Sequence, residues 1–206
     1  MKTKVIAIHK GRTAQIWRAG GMIWLISVSF FFSLLILYFA KLSMLLTLSI
    51  GSIVFFVPMF LLIGSIKSLQ LAKKLFEDKS EIGSQKRVSI KKWFLIVLAI
   101  EIVGLNIASI ALWKSNHFPY IVPVDILIVA LHFIPLGRIF AIPVYYFLGI
   151  IVSLIVILTL LIIPATLYVG NLLAVAAIPS LCFITLNYLV IIYILQDGKK
   201  YLEEIA

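Results

Sequence analysis

Six long apolar runs constrain the fold of this chain more than any other feature of its sequence. A helix rises about 1.5 Å per residue, so roughly twenty apolar residues are needed to cross a hydrocarbon layer about 30 Å thick. The runs lack the alternation of a membrane β-barrel, which favours helices. We therefore predict an all-α, polytopic transmembrane helical bundle that forms one integral membrane domain over residues 1–206, with spans at approximately 21–40, 44–66, 93–113, 120–136, 142–163 and 172–195.

The composition excludes an ordinary soluble domain. Hydrophobic residues make up 63% of the chain and charged residues 13%, against about 45–50% and about 25% in a typical soluble domain. The basic N-terminus and first run are similar to a signal peptide, but the run ends at Lys41 without a convincing cleavage site, so we expect a retained first span. The single cysteine, Cys182, has no partner for a disulfide or a metal cluster, and we expect it to be a packing residue.

The basic residues predict the orientation of the spans. With six crossings, all of the 18 Lys and Arg residues except Lys41 and Lys114 fall on one surface, which the positive-inside rule assigns to the cytoplasm. Both termini and the basic loop 67–92 are then cytoplasmic. We expect the net charge of +10 to attract anionic phospholipid head groups, with nucleic-acid binding as the minor alternative.

Two segments allow more than one interpretation. The segment 120–136 is short, carries Asp125 and His132 and has prolines near both ends, so it either spans fully or forms a broken or re-entrant helix. Apolar residues in the first half of loop 67–92 keep helical spacing and predict an extension of the second span along the interface. The alternative for that half is an amphipathic helix that binds a partner or lipid.

Polar residues inside the spans are candidates for function, because such groups are costly in a membrane unless they are paired, neutralised or hydrated. Counted from the predicted cytoplasmic ends of their spans, Glu101, His132 and Asn187 each lie roughly 9–12 Å deep and could share one layer. Glu101 and His132 could form an ion pair, or Glu101 could be protonated and neutral. For both residues a structural hydrogen bond between helices and a role in transport or catalysis stay open, whereas Asn187 is more typical of interhelical packing.

Residues that follow the fourth span extend the candidate site. Arg138 is expected to reach the cytoplasmic head groups or to compensate the C-terminal end of the fourth helix, and an alternative role is binding a substrate anion. Tyr145 and Tyr146 follow a tight turn, and Pro143 suits the first turn of the fifth span. Either hydroxyl could reach the layer of Glu101, although interfacial tyrosines are the commoner case.

The stretch 132–140, HFIPLGRIF, together with Pro143, Tyr145 and Tyr146, resembles a motif in a family of small multi-pass bacterial inner-membrane proteins that is classed as a domain of unknown function. The resemblance covers about fifteen residues. It implies a bacterial cytoplasmic (inner) membrane protein and implies no activity, and it draws attention to His132 and Arg138.

The sequence leaves three functional hypotheses. The leading one is a small transporter-like or permeation protein, forming a homo-oligomer, with Glu101 and His132 as a protonatable pair. The second is a non-catalytic membrane scaffold or accessory subunit in which the same residues hold helices together. The third is an integral membrane enzyme acting on lipid, but the chain lacks the serine, zinc and aspartate-rich motifs of such enzymes. No motif for a cofactor or a metal is present.

Overall fold

The structure is a computed structural model that describes residues 20–23, 25–31, 33–34, 44–75, 81–140, 142–169 and 171–203. Of the described residues, 89% are helical. The prediction of a helical protein with membrane-spanning helices is therefore confirmed at this level.

The described chain forms six helices and one small β-hairpin. Residues 20–34 are helical at every described position and form α1. The other elements are α2 (Met44–Leu75), α3 (Glu81–Lys114), a 3-10 turn (Phe118–Tyr120), α4 (Ile121–Phe140), α5 (Pro143–Ile162), β1 (Tyr168–Val169), β2 (Leu172–Leu173) and α6 (Ala174–Glu203). The two strands are antiparallel and pair Tyr168 with Leu173 and Val169 with Leu172.

Four of the helical segments are long and apolar enough to cross a membrane. They are Lys92–Lys114, Phe118–Phe140, Pro143–Ile162 and Ala174–Gln196, each of 20 to 23 residues. Gly20–Phe31 and Ser52–Lys67 are shorter apolar helical segments within the described part of the chain. Four such helices define an integral membrane protein by length and composition.

The helices differ from the predicted spans mainly at their ends. Helix α4 continues through Pro135 to Phe140, so the segment that could have been broken is one continuous helix. Membrane helices tolerate proline because neighbouring helices and local adjustments satisfy the freed backbone groups. Helix α2 continues to Leu75, as the helical spacing predicted, and α3 begins at Glu81, within the segment assigned to the loop. Residues 76–80, which include Lys79 of the basic loop, lie outside the described part of the chain.

The core lies around α4, which packs against α3, α5 and α6. Phe133 occupies its centre, with ring centroids 5.8 Å from Tyr145 on α5 and 6.5 Å from Phe183 on α6. Helices α4 and α5 approach closely, because a β-carbon at Gly149 would lie 2.8 Å from the carbonyl oxygen of Ala130. Helix α2 packs on α6, on another side of the bundle.

Helix α3 lies at the periphery and contacts the bundle mainly through α4. Between residues 92 and 114 many of its apolar side chains face outward, with Ile100, Ile107 and Trp113 each more than half exposed. Glu101 is the only buried residue in that range. A helix that is apolar on its outer surface and buries a carboxylate is arranged for a hydrocarbon solvent.

Candidate functional site at the α3–α4 interface

The structure brings Glu101 and His132 together. The Nδ1 atom of His132 lies 2.6 Å from a carboxylate oxygen of Glu101, and the two side chains are only 3% and 4% exposed. The contact is an ion pair when the imidazole of His132 is protonated. Two ionisable groups from two helices therefore meet inside the bundle.

The connection between α3 and α4 sets the register of this contact. The chain reverses at residues 115–120, where Asn116 adopts a left-handed backbone with φ of 60°, a conformation that asparagine tolerates better than most residues. The backbone N–H of His117 donates to the carbonyl of Leu112 at 2.8 Å and closes the end of α3. The short reversal leaves α3 and α4 antiparallel, so residues equally distant from the turn face each other.

Burial makes this ion pair costly to form and costly to break. Removing two charges from water carries a desolvation penalty that the attraction between them offsets only when the geometry is good. Once the helices are inside lipid, however, separating the two groups would move each charge away from its counter-charge in a hydrocarbon environment. The contact therefore couples the position of α3 to the charge states of Glu101 and His132.

A second polar contact lies on the same interface. The hydroxyl of Ser109 on α3 donates to the carboxylate of Asp125 on α4, at 3.2 Å from one oxygen and 3.5 Å from the other. Sequence reasoning noted Asp125 within the fourth predicted span but did not identify Ser109 as its partner. The spacing in the sequence could have shown it, because Ser109 is eight residues after Glu101 and Asp125 is seven residues before His132. In an antiparallel pair of helices, a contact between Glu101 and His132 therefore also brings Ser109 close to Asp125.

Asn187 does not join the Glu101–His132 contact. Its side-chain amide donates to the hydroxyl of Ser29 at 3.0 Å, and both residues are fully buried. The bond connects α6 to α1, as expected of a polar residue that holds two membrane helices together. The partner residue Ser29 carried no signal in the sequence beyond being small and polar.

The three residues after the fourth span take different positions. Tyr145 is buried beside Phe133, and its hydroxyl lies against Gly21 of α1, where a β-carbon would overlap it. The ring of Tyr146 is half-buried against Gly137. Arg138 is exposed in the last turn of α4, where a cation compensates the helix dipole. Tyr145 therefore lies in the core, whereas Arg138 lies at the exposed C-terminal end of α4.

The α3–α4 interface offers proton chemistry. Carboxylates, imidazoles and hydroxyls can accept, hold or donate protons without a cofactor. Among the described residues no group of three His, Cys, Asp or Glu side chains could hold a metal ion, and Cys182 is a half-buried free thiol. Comparisons of the chain with protein-family models, with curated proteins and with solved structures find no match.

Proposed function

We propose that the chain is a membrane protein of the transporter-like or permeation class, and that the Glu101–His132 pair binds and releases a proton during its cycle. The observation that carries the proposal is the burial of this pair between α4 and the peripheral helix α3, whose other side chains between residues 92 and 114 are exposed or half-buried. Such placement is typical of groups on ion or proton pathways.

Packing alone does not account for charges at this position. Apolar residues of similar volume hold helices together as well as a buried ion pair does, and often better. Helix α3 already places a small residue, the half-buried Gly104, against Ile128 of α4. An ion pair adds an element that apolar side chains lack, namely a contact that changes when a proton arrives or leaves.

The finer topology belongs to the same proposal. Six crossings with both termini in the cytoplasm would leave only Lys41 and Lys114 of the 18 basic residues on the far side. The cytoplasmic surface then faces anionic phospholipids. The resemblance of residues 132–140 to a bacterial family supports the bacterial inner membrane as the location, and homo-oligomerisation remains part of the hypothesis.

The test measures proton uptake by the purified protein in liposomes under a potassium diffusion potential, with a pH-sensitive dye inside. We expect Glu101→Gln and His132→Ala to lose flux that the parent protein shows. Asn106→Ala is the matched control, because Asn106 is an exposed polar residue of α3 whose amide donates to the Ile102 carbonyl of its own helix. Full flux in both well-folded variants would remove the pair from any transport role.

A scaffold or accessory subunit is the second candidate, and the near-complete burial of both side chains favours it. In that case the ion pair only attaches α3 to the bundle. The parent protein would then show no flux, and Glu101→Gln would lower the yield of folded protein in detergent. A parent protein that conducts protons excludes this candidate.

A further inference from the structure

Both carboxylates of the central part of the chain lie on one helix–helix interface. Between residues 92 and 196 the sequence contains only two acidic residues, Glu101 and Asp125. Glu101 lies on α3 and contacts α4, whereas Asp125 lies on α4 and contacts α3. Helices α5 and α6 contribute no charged side chain within Pro143–Ile162 or Ala174–Gln196. The acidic groups are thus gathered at a single contact surface.

The two contacts lie one after the other along the α3–α4 interface, and the Asp125–Ser109 contact is the one nearer to the connection between the helices. They are separated by eight residues on α3 and seven on α4, which corresponds to about 10–12 Å of helix. Asp125 is the fifth residue of α4 and is half-buried, whereas Glu101 lies deeper and is buried. The outer carboxylate is therefore the more accessible of the two.

Small residues separate the two contacts. Gly104 and Ala108 lie on α3 between Glu101 and Ser109, and both are half-buried. A β-carbon at Gly104 would meet Ile128 of α4 at 3.6 Å, an ordinary van der Waals distance. Gly104 itself adds no side chain between the two contacts, and the flexible Ile128 side chain is the group of α4 that faces it.

We propose, resting on the proposed function, that the Asp125–Ser109 contact is the entry site of the pathway and that the transported species is a proton. The Asp125 carboxylate takes up a proton from water at the connection between α3 and α4. It passes that proton through transient water to the Glu101 carboxylate and returns to its ionised form. Neutral Glu101 no longer holds the imidazolium of His132, which releases one proton on the opposite side. The proton on Glu101 then moves to the neutral imidazole across their contact, which restores the starting charges, so one proton enters and one leaves in each cycle.

Ser109 positions Asp125 in this scheme. Its hydroxyl donates to the carboxylate while Asp125 is ionised. When Asp125 is protonated, the same hydroxyl can rotate and accept, because a hydroxyl is both donor and acceptor. Ser109→Ala should therefore reduce the rate of proton entry without abolishing it, whereas Asp125→Asn should abolish it.

Water access to the entry site can be tested without measuring flux. In a Cys182→Ala background, Ser109→Cys and Ile110→Cys place thiols at the same depth, one on the proposed pathway and one on the exposed outer face of α3. We expect an impermeant thiol reagent, applied from the side of the connection, to label Ser109→Cys at least about tenfold faster, because the thiolate forms in water and not in lipid. A water-soluble carbodiimide should modify Asp125 in the unsubstituted protein, as detected by peptide mass.

The outcomes separate this inference from the proposed function. Equal labelling of the two cysteines, with Asp125 unmodified, overturns the entry site while leaving the Glu101–His132 proposal to its own test. Asp125→Asn with full proton flux in liposomes also overturns it. Labelling of the entry site together with loss of flux in Asp125→Asn and in Glu101→Gln supports both, whereas loss of flux in Glu101→Gln alone supports only the proposed function.

Discussion

The contact between Glu101 and His132 joins two residues that are 31 positions apart in sequence and nearly inaccessible in the structure. Its energetic role can be separated from its chemical role, because the two respond differently to substitution. A charge left without its partner in a buried site is destabilising, whereas removal of both charges is much less so.

We expect Glu101→Ala to destabilise the protein by about 3–5 kcal/mol, because it removes the carboxylate that faces the buried imidazole of His132. The double substitution Glu101→Met with His132→Phe should recover most of this loss, since both side chains become apolar at similar volume. The measurement is denaturation of the detergent-solubilised protein followed by circular dichroism.

The double variant also separates structure from function. It should fold like the parent and lack proton flux in liposomes. A double variant as unstable as Glu101→Ala would show that the interface requires the charges for packing.

Tyr145 and Gly21 make a second residue-scale prediction. A β-carbon at Gly21 would overlap the Tyr145 hydroxyl but would lie 3.4 Å from the ring carbon that carries it. We therefore expect Gly21→Ala to cost about 1–3 kcal/mol by overpacking. Adding Tyr145→Phe should relieve the overlap, and a double-mutant cycle of unfolding free energies measures this coupling. Gly20→Ala is the control, since nothing lies within 4 Å of its β-carbon position.

At the same scale, helical counting predicted part of the site. It placed Glu101 and His132 at a similar depth in the membrane, because the depth of each was counted from the predicted cytoplasmic end of its own span. It also suggested that Asn187 shared their layer, but depth alone does not specify which helices are neighbours, and the structure pairs Asn187 with Ser29 on α1. Which side chains meet depends on the rotation of each helix about its axis, and the sequence of α1 does not indicate which of its faces points towards the other helices.

Among the elements, the crossing of α4 and α5 depends on a close backbone approach. At Gly149 a β-carbon would lie 2.8 Å from the Ala130 carbonyl oxygen, which cannot move as a side chain can. We expect Gly149→Ala to destabilise the protein by about 1–3 kcal/mol. At Gly104 the same substitution meets only Ile128 at ordinary contact distance, so Gly104→Ala should be neutral or stabilising by up to about 1 kcal/mol through helix propensity. Equal effects in thermal unfolding would contradict this account.

Apolar run length predicted the elements better than it predicted their ends. The predicted spans 93–113 and 142–163 differ by one residue at each end from the apolar segments Lys92–Lys114 and Pro143–Ile162. The polar continuation of α3 back to Glu81 was missed, because hydropathy reports where lipid ends and not where helical hydrogen bonding ends. The hairpin at residues 168–173 was also missed, since its strands are only two residues long.

For the whole molecule, the proposed six crossings predict which segments share a surface. In a Cys182→Ala background, Lys79→Cys and Lys199→Cys should react with an impermeant thiol reagent only from the cytoplasmic side. Asn116→Cys, in the exposed turn after α3, should react only from the opposite side. Labelling of residues 79 and 199 from different sides would contradict an even number of crossings between them.

The solitary buried carboxylate of α3 also bears on how the protein reaches its bilayer. During synthesis α3 emerges before α4, and until His132 arrives Glu101 has no cation to face within the hydrophobic interior. Transfer of α3 alone into the bilayer then carries the cost of placing the Glu101 carboxylate in hydrocarbon, even though the outer surface of the helix is apolar. The two helices should consequently enter lipid as a hairpin, with the translocation machinery retaining the first until the second is available.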